Sequence, residues 1–269
     1  MESGYHIVVC GSLVPDPLQT LEPDVGPKGP ALKNEMVLPS VLDPWAAHAL
    51  YEAAHLAKEY AGSKVWLVSV GPKQRLQQLM MTVAQKAPFS FVPVDGSASG
   101  FCDPFETATA LANAIGAISE LDRNRLLLFG GYASASRDAG VTLQVVGEML
   151  GITEVFLAVD SLSVSEDGEI SLLERVEGGY YLVSKCDRPP LVVGWATGHL
   201  PEPPNNPQIG MANMRSIMPA LQKAPQVQVG AEGVSFAKVE LPQQQRTTRI
   251  VKDVPVEQIA GEIVAWIRG

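Results

Sequence analysis

The sequence predicts an α/β fold built on a doubly wound, mostly parallel sheet. Three observations predict it. Short apolar runs rich in Val and Leu alternate with stretches of helical period. Each run ends at Gly or Pro, or leads into a turn. Aromatics are only 6% of the chain, and Ala, Val and Leu dominate the apolar 46%, which suits strands buried under helices.

Tyr5–Cys10 (YHIVVC) reads as the first buried strand. Residues 11–39 carry several prolines, glycines and acids without helical period, and have room for a small hairpin. Asp43 then stands at a helix N-cap with Pro44 in the first turn. Ala46, Ala49, Leu50, Ala53 and Ala57 carry that helix to Tyr60, and Gly62 ends it. Lys64–Val70 is the next strand, closed by Gly71-Pro72, and Lys73–Ala87 has helical spacing at Leu76, Leu79, Met80 and Val83. Phe89–Val94 is the third strand. Asp103-Pro104 repeats the helix start, with Glu106 in capping-box position, and this helix is expected to reach Glu120. Arg125–Phe129 is the fourth strand and Arg137–Leu150 its helix. Beyond Leu150 the rhythm changes. Glu154–Ser163, Glu169–Val176 and Tyr180–Lys185 read as an antiparallel meander, and Pro190–Gly194 as one more core strand. Residues 198–228, with prolines at 201, 203, 204, 207, 219 and 225, read as a long loop outside the core. A polar arm, Pro242–Arg246, precedes a helix from Val256 to Ile267.

The length of 269 residues allows one large domain with appendages. The organisation read from the chain is 1–197 as a nucleotide-binding α/β unit, 198–228 as a partner loop and 229–269 as an arm with a terminal helix. A formal charge of −9 disfavours binding to nucleic-acid phosphates, which needs a basic face. No apolar run reaches the roughly 18 residues of a membrane span. The first residues lack a basic and then apolar leader, and Cys10, Cys102 and Cys186 form no CxxC, so a reducing cytoplasm is expected.

In open parallel sheets ligands sit beyond the carboxyl ends of the strands. The loops after Cys10, Val70 and Gly130 therefore share one face with the helix start at Asp43. The most informative stretch is Leu126–Gly140, an apolar strand that stops at Gly130-Gly131 and passes through Tyr132, Ala133, Ser134, Ala135, Ser136, Arg137, Asp138, Ala139 and Gly140 into a helix pattern. Small residues let backbone approach a phosphate, and N–H groups at a helix start meet its charge. There is no Walker A lysine motif, no GxGxxG, no GxSxG and no HExxH. His48 and His55 lie two turns apart on one helix, too distant to share a metal, and Asp16, Asp24, Asp43 and Asp103 fit turn and cap positions. A nucleotide-like site with no acid–base or nucleophile set favours a carrier or binding subunit over a self-sufficient catalyst.

The order of motifs is similar to that of the electron transfer flavoprotein β-subunit family over nearly the whole chain. The matching stretches are Val14-Pro15-Asp16, Asp43-Pro44 with Ala49–Ala53, and Val68-Ser69-Val70-Gly71-Pro72. They continue with Asp103 to Asn113, then Gly130, Ala133 and Asp138-Ala139-Gly140. Glu174 with Gly178-Gly179, Pro207 through Ala220, and Pro242–Thr247 complete them. The resemblance implies an adenine nucleotide α-hydrolase-like fold and a heterodimer in which the α-subunit carries most of an FAD. This chain would supply one wall and a structural AMP site, and in electron-bifurcating relatives a second FAD takes the AMP place. It implies a nucleotide site framed by Cys10, Asp43, Pro44, Trp45, Ala46, Val70 and Gly130–Val141. It further implies a redox partner, a flavin dehydrogenase or other, reached through Gly198–Lys223, and an arm, Pro242–Ile250, that wraps the α-subunit.

Departures mark this chain. Gly11 and Ser12 replace a lysine usual after the first strand. The acidic pair of the nucleotide loop is reduced to Ala135 and Arg137, which makes the loop less negative and leaves AMP against a second FAD open. Met214 stands where the family places a leucine. A competing reading is a homodimeric adenine-nucleotide sensor of the universal-stress type, though a single-domain sensor needs no such arm. An ATP-cleaving hydrolase lacks the strong phosphate loop it would require.

Overall fold

The computed structural model describes residues 4–26, 29–97, 102–135, 140–230, 233, 235–241 and 248–268. A nine-stranded sheet runs in the order β11 (Tyr181–Cys186), β10 (Ile170–Arg175), β9 (Glu154–Val164), β12 (Leu191–Trp195), β8 (Leu126–Gly131), β1 (His6–Cys10), β6 (Lys64–Gly71), β7 (Ser90–Gly96) and β13 (Gln226–Val227). From β9 across to β13 every neighbouring pair is parallel, and β10 pairs antiparallel with both β9 and β11. This is the expected mixed α/β sheet. Two small pairs stand apart: β2 (Leu13–Pro15) with β5 (Ser40–Leu42), and β3 (Pro23–Gly26) with β4 (Gly29–Leu32), the hairpin expected within residues 11–39.

The strands are apolar on both sides because helices cover both faces. Ile7, Val9, Leu67, Leu127, Phe129 and Trp195 face α1 (Pro44–Glu59), α2 (Lys73–Val83) and α5 (Pro207–Gln222). Val8, Val68, Leu126, Leu128 and Val192 face α3 (Pro104–Gly116) and α4 (Thr142–Met149). Each such side chain, taken fully from water, contributes roughly 1.5–3 kcal/mol before entropy is counted. The chain leaves β1 toward β6 and β7, then crosses back to β8 on the other side of β1. The point where the order reverses lies between β1 and β8.

Long β9 is irregular at Ala158, which takes a left-handed φ of 54° where the register with β12 shifts, and at Asp160, where the register with β10 shifts. Beyond these points its end lies beside α1, where Leu162–Val164 share a cavity with Glu52, His55, Leu56 and Glu59, and the hydroxyl of the C-cap residue Tyr60 reaches the Val164 carbonyl at 3.5 Å. Asp160 anchors this segment. Its buried carboxylate accepts from Arg175, from the Tyr181 hydroxyl at 3.0 Å and from Thr197. Burial pushes this carboxyl up, but Arg175 and Tyr181 outweigh it and hold it below its ordinary range.

Three expectations are corrected. The helix from Asp103 stops at Gly116, not Glu120, and a short turn at Arg123–Arg125 fills the gap before β8. The helix expected from Lys73 to Ala87 ends at Val83, with Ala84 as C-cap. Residues 198–228 are not a loop outside the core. Asn206 caps a sixteen-residue helix, α5, accepting from Gln208 N at 3.0 Å and Ile209 N at 3.3 Å, with Pro207 in the first turn. Gly210, Asn213, Ile217 and Leu221 make its buried stripe. The Asn213 amide donates to the carbonyls of Ala84 (2.8 Å) and Ala87 (2.7 Å), tying α5 to the end of α2. Met214 and Met218 pack on this core, while Met211 is exposed. In the other direction, α6 (Val256–Arg268) has no buried residue and exposes Val256, Ile263, Trp266 and Ile267. No helix among the described residues is long and apolar enough to cross a membrane.

Candidate functional site: a cavity at the reversal of the sheet

Strands β1 and β8 end side by side, with Cys10 opposite Gly130. The chain turns away from both, so a gap opens between the first loop and the β8–α4 loop. A cavity of about 230 Å3 occupies it. Its walls come from five places. The β1 end gives Cys10, Gly11, Ser12, Leu13 and Val14, and the first turn of α1 gives Asp43 and Ala46. Val70 closes the β6 side, and Cys102, just before α3, joins Pro104, Thr107 and Leu111 of that helix. Gly130, Gly131, Ala133, Ser134, Gly140, Val141, Thr142 and Leu143 line the remaining side.

Glycine is required where backbone meets backbone. A Cβ on Gly140 would lie 1.6 Å from the Tyr132 carbonyl oxygen, and one on Gly131 would lie 2.7 Å from the Ala133 oxygen and 2.8 Å from the Trp45 Cβ. No side chain fits either place, so the loop can close on itself and on α1 only with these residues. The helix start at Thr142 carries no side-chain cap among the described residues, which leaves a positive helix end facing the cavity.

Asp43 is 1% exposed and spends both carboxylate oxygens on the protein. Oδ1 accepts from Trp45 N at 3.1 Å, and Oδ2 accepts from Ala135 N at 2.9 Å and from the Ser134 hydroxyl at 3.2 Å. Burial pushes its carboxyl above the ordinary range, opposed by the N–H donors of Ala135 and Trp45. Cys10, half-buried at the end of β1, has its thiol pushed up to about 12 by desolvation, so it stays neutral and inert.

The structure brings together Cys10, Asp43, Ala46, Val70, Gly130, Gly131, Ala133, Ser134, Gly140 and Val141 of the expected set. Pro44, Trp45, Tyr132 and Ala135 stand behind the wall: the Trp45 and Tyr132 rings meet edge to face at 5.9 Å, and Tyr132 N donates to the Trp195 carbonyl. Ser136, Arg137, Asp138 and Ala139 lie outside the described residues. Sequence reasoning placed the loop after Cys10 on this face without naming Gly11–Val14, and it missed the α3 wall. The Asp103-Pro104 start that signals α3 was visible, but only as a cap. Backbone and small or apolar side chains make most of the described wall, so the arrangement is suited to holding a ligand by backbone and shape. Its glycine floor and helix ends have the chemistry of an anion-bearing nucleotide site.

The sequence profile described as "Electron transfer flavoprotein domain" matches residues 34–226. The chain is 27% identical over 260 residues to the electron transfer flavoprotein subunit beta of Thermoanaerobacterium thermosaccharolyticum, covering 96% of this chain and 91% of that protein. It is 30% identical over 178 residues to the electron transfer flavoprotein subunit beta of Clostridium acetobutylicum, covering 66% of this chain and 64% of that one. It is 29% identical over 178 residues to the caffeyl-CoA reductase-Etf complex subunit CarD of Acetobacterium woodii, again covering 66% and 64%. The last two matches thus span just under two thirds of those relatives. With the profile covering well over half of the chain, and with the sheet order and reversal-point cavity just described, the chain belongs to the electron transfer flavoprotein β-subunit family.

Proposed function

We propose that this chain is the β-subunit of a heterodimeric electron transfer flavoprotein and that the cavity between β1 and β8 holds an adenine nucleotide. The observation that carries the reading is the cavity itself. It lies at the reversal of a parallel sheet, is floored by Gly131 and Gly140 where a Cβ has no room, and faces a helix start. The nucleotide is AMP, with an FAD shared with the α-subunit. Bound flavin supplies the redox chemistry, and this chain's part is to hold, orient and shield. The exposed apolar residues of α6 and the arm before it cover the α-subunit. The outer face of α5, with Met211, meets the redox partner. The units 1–197, 198–228 and 229–269 follow this division of labour, in a cytoplasmic protein.

A second reading, two FAD and no AMP, is favoured by the composition of the loop after β8. It lacks an acidic pair and carries Arg137, which suits an additional phosphate. Co-expression with an α-subunit, followed by acid extraction and chromatography, separates the two. One FAD and one AMP per heterodimer supports the shuttle, and two FAD supports bifurcation. A chain that retains neither a nucleotide nor a second subunit is instead the homodimeric sensor.

A further inference from the structure

Asp43 does more than an N-cap needs, and what it does bears on the nucleotide reading just given, on which this inference rests. A cap uses one side-chain acceptor, here Oδ1 for Trp45 N. The second oxygen leaves the helix and reaches across 92 residues of sequence to Ala135 N, taking the Ser134 hydroxyl as well. The backbone of Asp43 is tied in turn to the β1 end, its N–H donating to the Ser12 carbonyl at 2.9 Å. Three walls of the cavity meet at this one residue. The loop it grips is made of small residues, Gly131 to Ala135 around Tyr132, and buries little apolar surface of its own.

We propose that Asp43 is a positioning residue for the nucleotide. It holds the loop after β8 against α1, and so sets the distance between the walls formed by Gly11-Ser12 and Ala133-Ser134. It acts through the loop and not on the ligand, because both oxygens are already engaged by protein donors. A charge-assisted bond from a backbone N–H to a buried carboxylate is among the stronger single hydrogen bonds, so its loss is read as a change of about tenfold or more.

The test uses the co-expressed complex, stripped of nucleotide and reloaded with AMP. Asp43→Ser keeps an acceptor for Trp45 N but is too short to reach Ala135. Asp43→Asn keeps the shape but turns an NH2 toward one of the two donor sets. Ser134→Ala removes only the hydroxyl. Hydrogen exchange is read at residues 131–135 and at β1, with AMP release followed in a chase. In Asp43→Ser, exchange at 131–135 rises about tenfold or more while β1 is unchanged, and AMP leaves about tenfold faster. Asp43→Asn falls between it and the parent, and Ser134→Ala changes release by about threefold or less. Should Asp43→Ser not fold, Asp43→Asn carries the same comparison. Native exchange in the loop of the Asp43 variants, or faster exchange with unchanged AMP release, overturns the proposal. A parent complex that takes up no AMP or FAD overturns the nucleotide reading instead, and the exchange arm then still decides whether Asp43 holds the loop.

Discussion

The two ends of the same central strands are built on opposite plans. At the amino end of β1 and β8, polar groups are spent on one another. His6, 4% exposed, accepts from Asp122 N at Nδ1 over 2.8 Å and lies edge-on to Trp66. Arg125 donates to the carbonyls of Gly4 and Gly62, and Tyr5 N donates to the Ser63 hydroxyl at 2.8 Å. At the carboxyl end the strands stop in glycine and backbone is left facing a cavity. The difference teaches where stability and function are separated. Pairing closes one end, and small residues keep the other end open. Asp43 crosses the divide, a paired carboxylate placed at the open end.

The comparison can be broken most sharply at Gly140. Gly140→Val puts a side chain where the Tyr132 carbonyl already sits, so the loop must open. The expected result is loss of bound nucleotide by more than about tenfold at little cost to the melting temperature, since the strands themselves are untouched. Nucleotide content by acid extraction, beside a thermal melt, checks this. The meander behaves oppositely. Arg175→Met leaves the Asp160 carboxylate buried without its cation and is expected to cost about 2–3 kcal/mol of stability, with nucleotide content unchanged. Denaturant unfolding measures it.

A smaller effect follows at the closed end. Burial, with Arg125 and Lys64 nearby, lowers the His6 pKa below its ordinary 6.5, against the weaker pull of Asp122 and Glu120. The unfolded chain therefore takes up a proton as pH falls through 6.5 while the folded chain resists. Stability is present in full above 6.5 and is lost as pH falls toward the folded value. His6→Gln should flatten that part of the melting temperature against pH. The smallest effect is at Lys33–Glu22 on the β3–β4 hairpin, an exposed pair at 2.8 Å. Lys33→Ala should leave the melting temperature unchanged within error, because solvent screens such pairs.

Much of the sheet was legible because buried parallel strands read as unbroken apolar runs, as in Leu126–Phe129 and Leu191–Val193. Helix α5 was not, although Asn206-Pro207 repeats the Asp-Pro logic of α1 and α3. Flanking prolines at 201, 203, 204 and 225 masked a stripe in which one buried position is Gly and another Asn. The site divides the same way. Cys10, Val70 and Gly130 follow from strand ends, and Gly140 from the loop that leads into α4. Thr107 and Leu111 do not, because only the crossover from β7 back to β8 brings α3 against the cavity. Nor does spacing say that Asp43 reaches Ala135, a contact fixed by the fold alone.

The central claim is that an adenine nucleotide occupies the cavity between β1 and β8, and photolabelling of the intact complex with 8-azido-AMP tests it most directly. The account predicts label, competed by AMP, on peptides that contain Gly11–Val14, Cys102–Leu111 or Gly140–Leu143. Label confined to the open groove beside Pro72, Ser97 and Gln226, or label that AMP does not displace, would contradict it.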